Sequence, residues 1–284
     1  MLKILRNFLP FKAIGDKPLA RILNYLDIFG LFQVDPFGYP LLLKRIVIFI
    51  AGWPTYWRLA VANKLTIEGG NYLKNLPNTN VLFISNHQTY FADVITFYHI
   101  FSAAKWGMYR KLYPFYLFSP RAKTFYVAAR ETMKSGFIPK LFSLAGAIMV
   151  DRSWRAKGEN VQRGVDTSAA DSVQQGLNYG WVVTFPQGTT TAYAPIRKGT
   201  AHLIKDNNPV VVPVVIDGFR RAFNKTGLTY KKRNTNLKVR FKQPIYFDKD
   251  QPLEEIVAMV TKIIEQNVPE NIAEWKAEAE NLNS

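Results

Sequence analysis

Apolar residues along this chain gather into short unbroken runs, and these set the expectations for everything else. Val81-Leu-Phe-Ile84, Ala147-Ile-Met-Val150, Trp181-Val-Val-Thr-Phe185 and Val210 to Ile216 have almost no polar positions. Runs of that length predict strands buried on both faces. Leu65 to Asn71 reads as a strand and turn, and Leu237-Lys-Val-Arg-Phe241 alternates as a half-exposed strand. Between them the period lengthens to that of helices. Ala92 to Phe101 is a helical segment, Glu159 to Tyr179 a polar amphipathic helix, and Pro252 to Gln266 a helix with Glu254 and Glu255 in its first turn. Residues 1–65 read as helices interrupted by Pro10, Pro18, Pro36, Pro40 and Pro54, and Glu270 to Ser284 as an acidic helix or frayed tail. Strands alternating with helices predict an α/β fold.

The chemistry concentrates behind the first run. Ser85 and Asn86 offer turn and N-cap side chains, His87 follows at once, and Asp93 stands at the start of the helical segment. Imidazole takes a proton near neutral pH. A carboxylate on its other nitrogen fixes the tautomer and stabilises the imidazolium that forms. Five residues separate His87 from Asp93. On one ideal helix an i, i+6 pair falls about 120° apart, so His87 is expected on the turn before the helix. His99, within the helix, and His202 read as structural, and no metal-ligand constellation is present.

Composition adds a partner class. The chain has 284 residues, no cysteine and a formal charge of +16, and 14% of its residues are aromatic. The length fits one large α/β domain or one domain with an appended element. The charge points to a polyanion: nucleic acid, anionic lipid or a phosphorylated substrate. Absence of cysteine excludes disulfides, cysteine zinc sites and thiol catalysis, and fits a reducing compartment. Lys105 to Arg130 interleaves basic and aromatic residues but carries no RNA-recognition, KH or zinc-finger pattern, so nucleic acid is not the expected partner. Trp53, Tyr56 and Trp57 beside Arg58 suit a helix lying in a membrane interface. Ile46 to Trp57, an uncharged stretch between Arg45 and Arg58, falls short of the roughly 20 residues a membrane-spanning helix needs. No cleavable signal peptide is expected, because Arg6, Pro10 and Lys12 interrupt the first apolar stretch.

Four blocks in order resemble the glycerolipid acyltransferases, the superfamily of the lysophosphatidate acyltransferases. Asn86-His87-Gln88-Thr89-Tyr90 with Asp93 is similar to the first, although that family has four residues between His and Asp. Gly146 to Arg152 is similar to the second. Phe185-Pro186-Gln187-Gly188-Thr189-Thr190, with Lys198 and Gly199, is similar to the third, which reads Phe-Pro-Glu-Gly-Thr-Arg. Pro209 to Ile216 is similar to the fourth. Gln187 thus replaces an acid and Thr190 an arginine.

The resemblance implies a mixed sheet flanked by helices. Residues 1–65 would form a helical membrane-docking segment, 66–250 the catalytic domain and 251–284 a C-terminal helix and tail. It implies His87 as general base with Asp93 orienting it, and Asn86, Arg152, Gln187, Gly188, Thr189, Thr190 and Lys198 around the substrate. Backbone N–H groups near Gly188 and Thr189 would meet the oxyanion. The implied reaction moves a fatty acyl group from acyl-CoA or acyl carrier protein, a substrate rather than a cofactor, to the hydroxyl of a lysolipid acceptor. That acceptor is expected to be 1-acylglycerol-3-phosphate. The enzyme would sit peripherally on the cytoplasmic face of a membrane. Because the family's arginine grips the acceptor phosphate, Thr190 leaves two routes open. Either Arg152, Arg197 or Lys198 supplies the charge, or the acceptor is a phosphate-free lysolipid such as an N-acyl amino-acid lipid. A catalytically silent lipid-binding protein of the same fold is the remaining alternative.

Overall fold

The computed structural model describes residues 33–133, 137–151, 155–156, 159–160 and 167–269. The first half of the expected helical segment, Arg152 and the acidic tail from residue 270 lie outside these.

In chain order the strands and helices are α1 (Leu41–Tyr56), β1 (Lys64–Glu68), β2 (Val81–Ser85), α2 (Ala92–Lys105), β3 (Thr124–Ala129), α3 (Arg130–Met133), α4 (Phe137–Leu144), β4 (Ala147–Val150), β5 (Arg155–Ala156), β6 (Glu159–Asn160), α5 (Thr167–Tyr179), β7 (Trp181–Thr184), α6 (Lys198–Asn207), β8 (Val210–Asp217), α7 (Phe219–Ala222), β9 (Asn236–Phe241) and α8 (Leu253–Ile263). Two expectations need correcting. The helix expected over Glu159 to Tyr179 begins at Thr167, and Glu159 and Asn160 pair instead with Ala156 and Arg155 in a two-residue ladder. Pro54 does not end its helix: α1 runs through it into a π-helical turn, Trp57–Val61, a local widening that re-accommodates the ladder near a proline.

Seven strands form one sheet in the order β1-β9-β8-β2-β7-β3-β4. The five from β8 to β4 are mutually parallel, whereas β9 runs antiparallel to β8 and carries β1 parallel to itself. This is the mixed sheet flanked by helices that the four blocks imply. β2 sits between β8 and β7 and is buried at every position. Its side chains alternate between two cores: Val81 and Phe83 pack towards α2, while Leu82 and Ile84 pack with Val173 and Leu177 of α5, Ile204 of α6 and Ile256 and Val260 of α8. Burial on both faces is why this strand reads as an unbroken apolar run. The arrangement brings the C-terminal ends of β7, β2 and β8 side by side, the edge where open parallel sheets hold their ligands.

α1 lies across one face and is fastened at both ends. Near its start, Lys44 and Asp35 form an ion pair with both side chains fully buried, Nζ to Oδ2 3.2 Å. Asp35 Oδ1 also accepts the N–H groups of Phe37 and Tyr39. Burial pulls the Lys44 ammonium down to about 8 despite the attraction of Asp35. Near its end, Thr55 reaches His99 on α2. The outer face of α1 exposes Ile46, Ile50 and Trp53, and the π-helical turn that follows adds Trp57. Phe118 extends that surface, its ring 5.8 Å from Phe49 and 5.9 Å from Trp53. No described helix is long and apolar enough to cross a membrane.

Candidate active site

His87 stands on the turn after β2, and Asp93 lies in the first turn of α2. The N-cap position is Phe91, without a capping side chain, so neither Ser85 nor Asn86 caps the helix. Asp93 supplies the loop's polar partner from inside the helix, where a carboxylate also suits the dipole. Its Oδ2 lies 2.9 Å from His87 Nδ1 and accepts the N–H of Gln88 at 2.6 Å and of Thr89 at 3.0 Å. Its Oδ1 accepts the Thr89 hydroxyl at 2.7 Å. A carboxylate already taking these donors receives a proton-bearing Nδ1 from the imidazole. That leaves Nε2 as the ring's acceptor. Asp93 is fully buried, whereas the His87 side chain keeps 12% of its surface exposed. The five-residue separation is absorbed by the loop, as the helical geometry requires.

Two neighbouring strand ends hold this loop. Asn86 continues the ladder between β2 and β8 with its side chain: Nδ2 donates to the Ile216 carbonyl and Oδ1 accepts the Ile216 N–H, at 2.9 and 2.8 Å. Gln88 Nε2 donates to the same carbonyl. From β7, Phe185 stacks on the imidazole, with ring centroids 3.9 Å apart and planes 21° from parallel. Beyond it the chain turns. Gly188 is left-handed (φ 63°) and its N–H donates to Phe185 O.

The other expected residues fall in different places. Gln187 is buried, its Nε2 donating to Ala194 O and to Gln266 Oε1, both at 2.9 Å. It braces the turn from behind, and its Oε1 has no hydrogen-bond partner among the described residues. Thr189 pairs with the Thr191 hydroxyl. Thr190 is buried, and its carbonyl accepts a bond from Arg220. Lys198 is exposed and paired with Glu254 of α8 at 2.9 Å. His202 is on the exposed side of α6. Arg152 lies outside the described residues. Arg220, which the sequence alone does not single out, is half-buried, and its guanidinium also donates to His87 O at 3.1 Å. Its place directly after the fourth block was the available signal.

A second histidine environment lies beside the first. α1, α2, α4 and Leu117 line a narrow apolar cavity of about 40 Å³, partly open to solvent, whose walls include Val47, Ile48, Val94, Ile95 and Phe142. His99 is at its base. Thr55 Oγ1 donates to Ala51 O, so it accepts from His99 Nε2 at 2.8 Å. Tyr116 then donates its hydroxyl to Nδ1 at 2.7 Å. Burial pushes this imidazole down to about 3.

Fold and site together define an α/β protein with a histidine–carboxylate pair at the C-terminal edge of its central strand. A family model described as Acyltransferase matches residues 64–217, and the chain belongs to that family. The matched span runs from β1 to the end of β8 and so contains both members of the pair. Among curated proteins the chain is similar to the 1-acyl-sn-glycerol-3-phosphate acyltransferase of Cocos nucifera, with 23% identity over 227 residues, 78% of this chain and 63% of that protein. The protein of the same name from Limnanthes alba is 25% identical over 149 residues, half of each chain. The chain thus spans less than two thirds of the length of these relatives. Among solved structures it is similar to the 1-acyl-sn-glycerophosphate acyltransferase PlsC of Thermotoga maritima, with a TM-score of 0.46 and 18% identity, covering 83% of this chain and 80% of that one.

Proposed function

We propose that this protein transfers a fatty acyl group from a thioester, on coenzyme A or acyl carrier protein, to the hydroxyl of a lysophospholipid. 1-Acylglycerol-3-phosphate is the acceptor that the curated relatives' names favour. The observation that carries this reading is the His87–Asp93 pair, with Nδ1 committed to the carboxylate and Nε2 left as acceptor. Nε2 takes the proton of the acceptor hydroxyl as its oxygen attacks the thioester carbonyl. The imidazolium formed is stabilised by Asp93. As the tetrahedral intermediate collapses, the C–S bond breaks and the thiolate leaves, recovering that proton from His87. The Gly188 N–H is spent within its turn, so the amides of Thr189 and Thr190 are the better oxyanion donors. The narrow apolar cavity beside α2 has the lining an acyl chain needs, and it would have to widen to admit one. Asn86 and Gln187 act by holding the loops, and Lys198 lies at the periphery.

The exposed apolar face of α1, continued by Phe118, supports attachment to a bilayer surface without spanning it. Thr190 in place of an arginine favours a second reading, a phosphate-free acceptor. One experiment separates them. Purified protein is supplied with palmitoyl-CoA or palmitoyl acyl carrier protein and equal amounts of lysophosphatidate, monoacylglycerol and an N-acyl amino-acid lipid, and products are identified by mass spectrometry. Phosphatidate is the expected product. Preferential acylation of a phosphate-free lipid would select the second reading, and no acylated lipid with either donor would leave a lipid-binding protein.

A further inference from the structure

Arg220 and Arg221 are adjacent in sequence but do different things. Arg221 turns outward to Asp217, Nη2 to Oδ2 2.8 Å, both side chains exposed. Arg220 turns inward. Its backbone N–H donates to Gln88 Oε1 at 3.2 Å, and its Nη2 donates to two carbonyls, those of His87 and Thr190. Its starting point is set by Gly218, which is left-handed (φ 90°) and where a Cβ would fall 2.2 Å from Asn236 O, so the chain leaves β8 in one direction only. The guanidinium therefore joins three loops, one from the end of each of the adjacent strands β2, β7 and β8. The turn after β7 is braced on its far side by Gln187 to Gln266 and by Arg197 N–H to Pro186 O. Arg220 supplies the tie on the histidine side.

We infer that Arg220 is a positioning residue of this site, fastening the turn that carries Thr189 and Thr190 to the loop that carries His87. This inference rests on the acyl-transfer reading for its kinetic part and on the hydrogen bonds alone for its structural part. Base and oxyanion donors sit on different strands, so their separation depends on how the two loops are joined. A displacement near 1 Å in such a constellation lowers turnover by about 10²-fold. The two in-plane N–H groups of Nη2 hold two carbonyls at once, which a freely rotating lysine ammonium does with less directional control.

Arg220→Gln and Arg220→Lys test this through two readouts, steady-state kinetics and amide hydrogen exchange. Arg220→Gln is expected to lower kcat roughly 10- to 100-fold while the acceptor KM stays within about threefold. Exchange should quicken at residues 186–191 and remain unchanged in β2 and β8, the latter showing that the fold is retained. Arg220→Lys should fall between parent and Arg220→Gln in both readouts. Parental kcat and exchange in Arg220→Gln would overturn the inference. So would a loss confined to the KM of lysophosphatidate and absent with monoacylglycerol, because Arg220 would then be gripping a phosphate rather than joining loops. If the parent protein transfers no acyl group, the proposed function fails separately. The exchange comparison then decides, and unchanged rates at 186–191 overturn the tie.

Discussion

His87 and His99 lie on one continuous stretch of chain, and their surroundings leave them with opposite hydrogen-bonding patterns. His99 has both ring nitrogens satisfied by hydroxyls, Thr55 on one side and Tyr116 on the other, and burial holds it neutral. His87 has one nitrogen on a carboxylate, the other without a hydrogen-bond partner among the described residues, and part of its ring open to solvent. The hydrogen bonds dictate opposite tautomers, Nδ1–H for His87 and Nε2–H for His99. In the proposed mechanism, what qualifies a histidine as base is an unfilled acceptor beside a charged partner, rather than burial or position on a helix.

The sharpest way to break this contrast is to remove each ring in turn. His87→Ala should lower acyl transfer by roughly 10²-fold or more while the melting temperature stays near that of the parent. Circular dichroism melts and product assays read the two effects separately, and a folded His87→Ala protein with parental turnover would end its assignment as base. His99→Leu should do the reverse. It leaves the Tyr116 hydroxyl without its acceptor in an apolar pocket, while Thr55 keeps Ala51 O, at a cost of about 1–3 kcal/mol in denaturant unfolding.

Acid sharpens the same comparison. Burial lowers His99 from 6.5 to about 3, so between those values the unfolded chain binds a proton that the folded protein refuses. Its contribution to stability is complete above pH 6.5 and is lost as pH falls towards 3, at roughly 1.4 kcal/mol per pH unit. Unfolding free energies measured between pH 7 and 4 should therefore fall more steeply for the parent than for His99→Leu. Equal slopes would show that His99 is not held neutral.

The smallest expected effect lies on the helix that Thr55 ties to His99. Ile50 and Trp57 point away from the cavity and are 65% and 61% exposed. Replacing both with Glu should weaken binding to anionic vesicles about tenfold in co-sedimentation, roughly 1.4 kcal/mol, since side chains lying shallowly in the interface recover only part of their burial energy. Stability in solution should shift by no more than about 0.5 kcal/mol. Unchanged vesicle binding would remove α1 from the membrane account.

Much of the fold was legible because buried strands write themselves as unbroken apolar runs. β2, β4, β7 and β8 all lie where those runs fall, and the alternation of β9 marks its exposed face. The helix expected from Glu159 was misread because a polar stretch of helical period carries no signal separating a helix from the short strand at Glu159 and Asn160. Pro54 was misread because a proline near a helix end can be carried through by a widened turn. In the candidate site, the pairing of His87 with Asp93 was legible from chemistry and spacing. The long-range polar ties were not. Asn86 reaching Ile216, Gln187 reaching Gln266 and Arg220 reaching His87 and Thr190 depend on which strands become neighbours, and a single sequence does not record that order.

The contrast between the two imidazoles can be read directly in one nitrogen-15 NMR spectrum of histidine-labelled protein at neutral pH. The chain has three histidines, so His87→Gln and His99→Gln variants assign the signals. The account predicts His87 protonated on Nδ1 with an unprotonated Nε2, and His99 protonated on Nε2 with an unprotonated Nδ1. A His87 ring carrying its proton on Nε2 would contradict it, because that nitrogen could then take no proton from an acceptor hydroxyl.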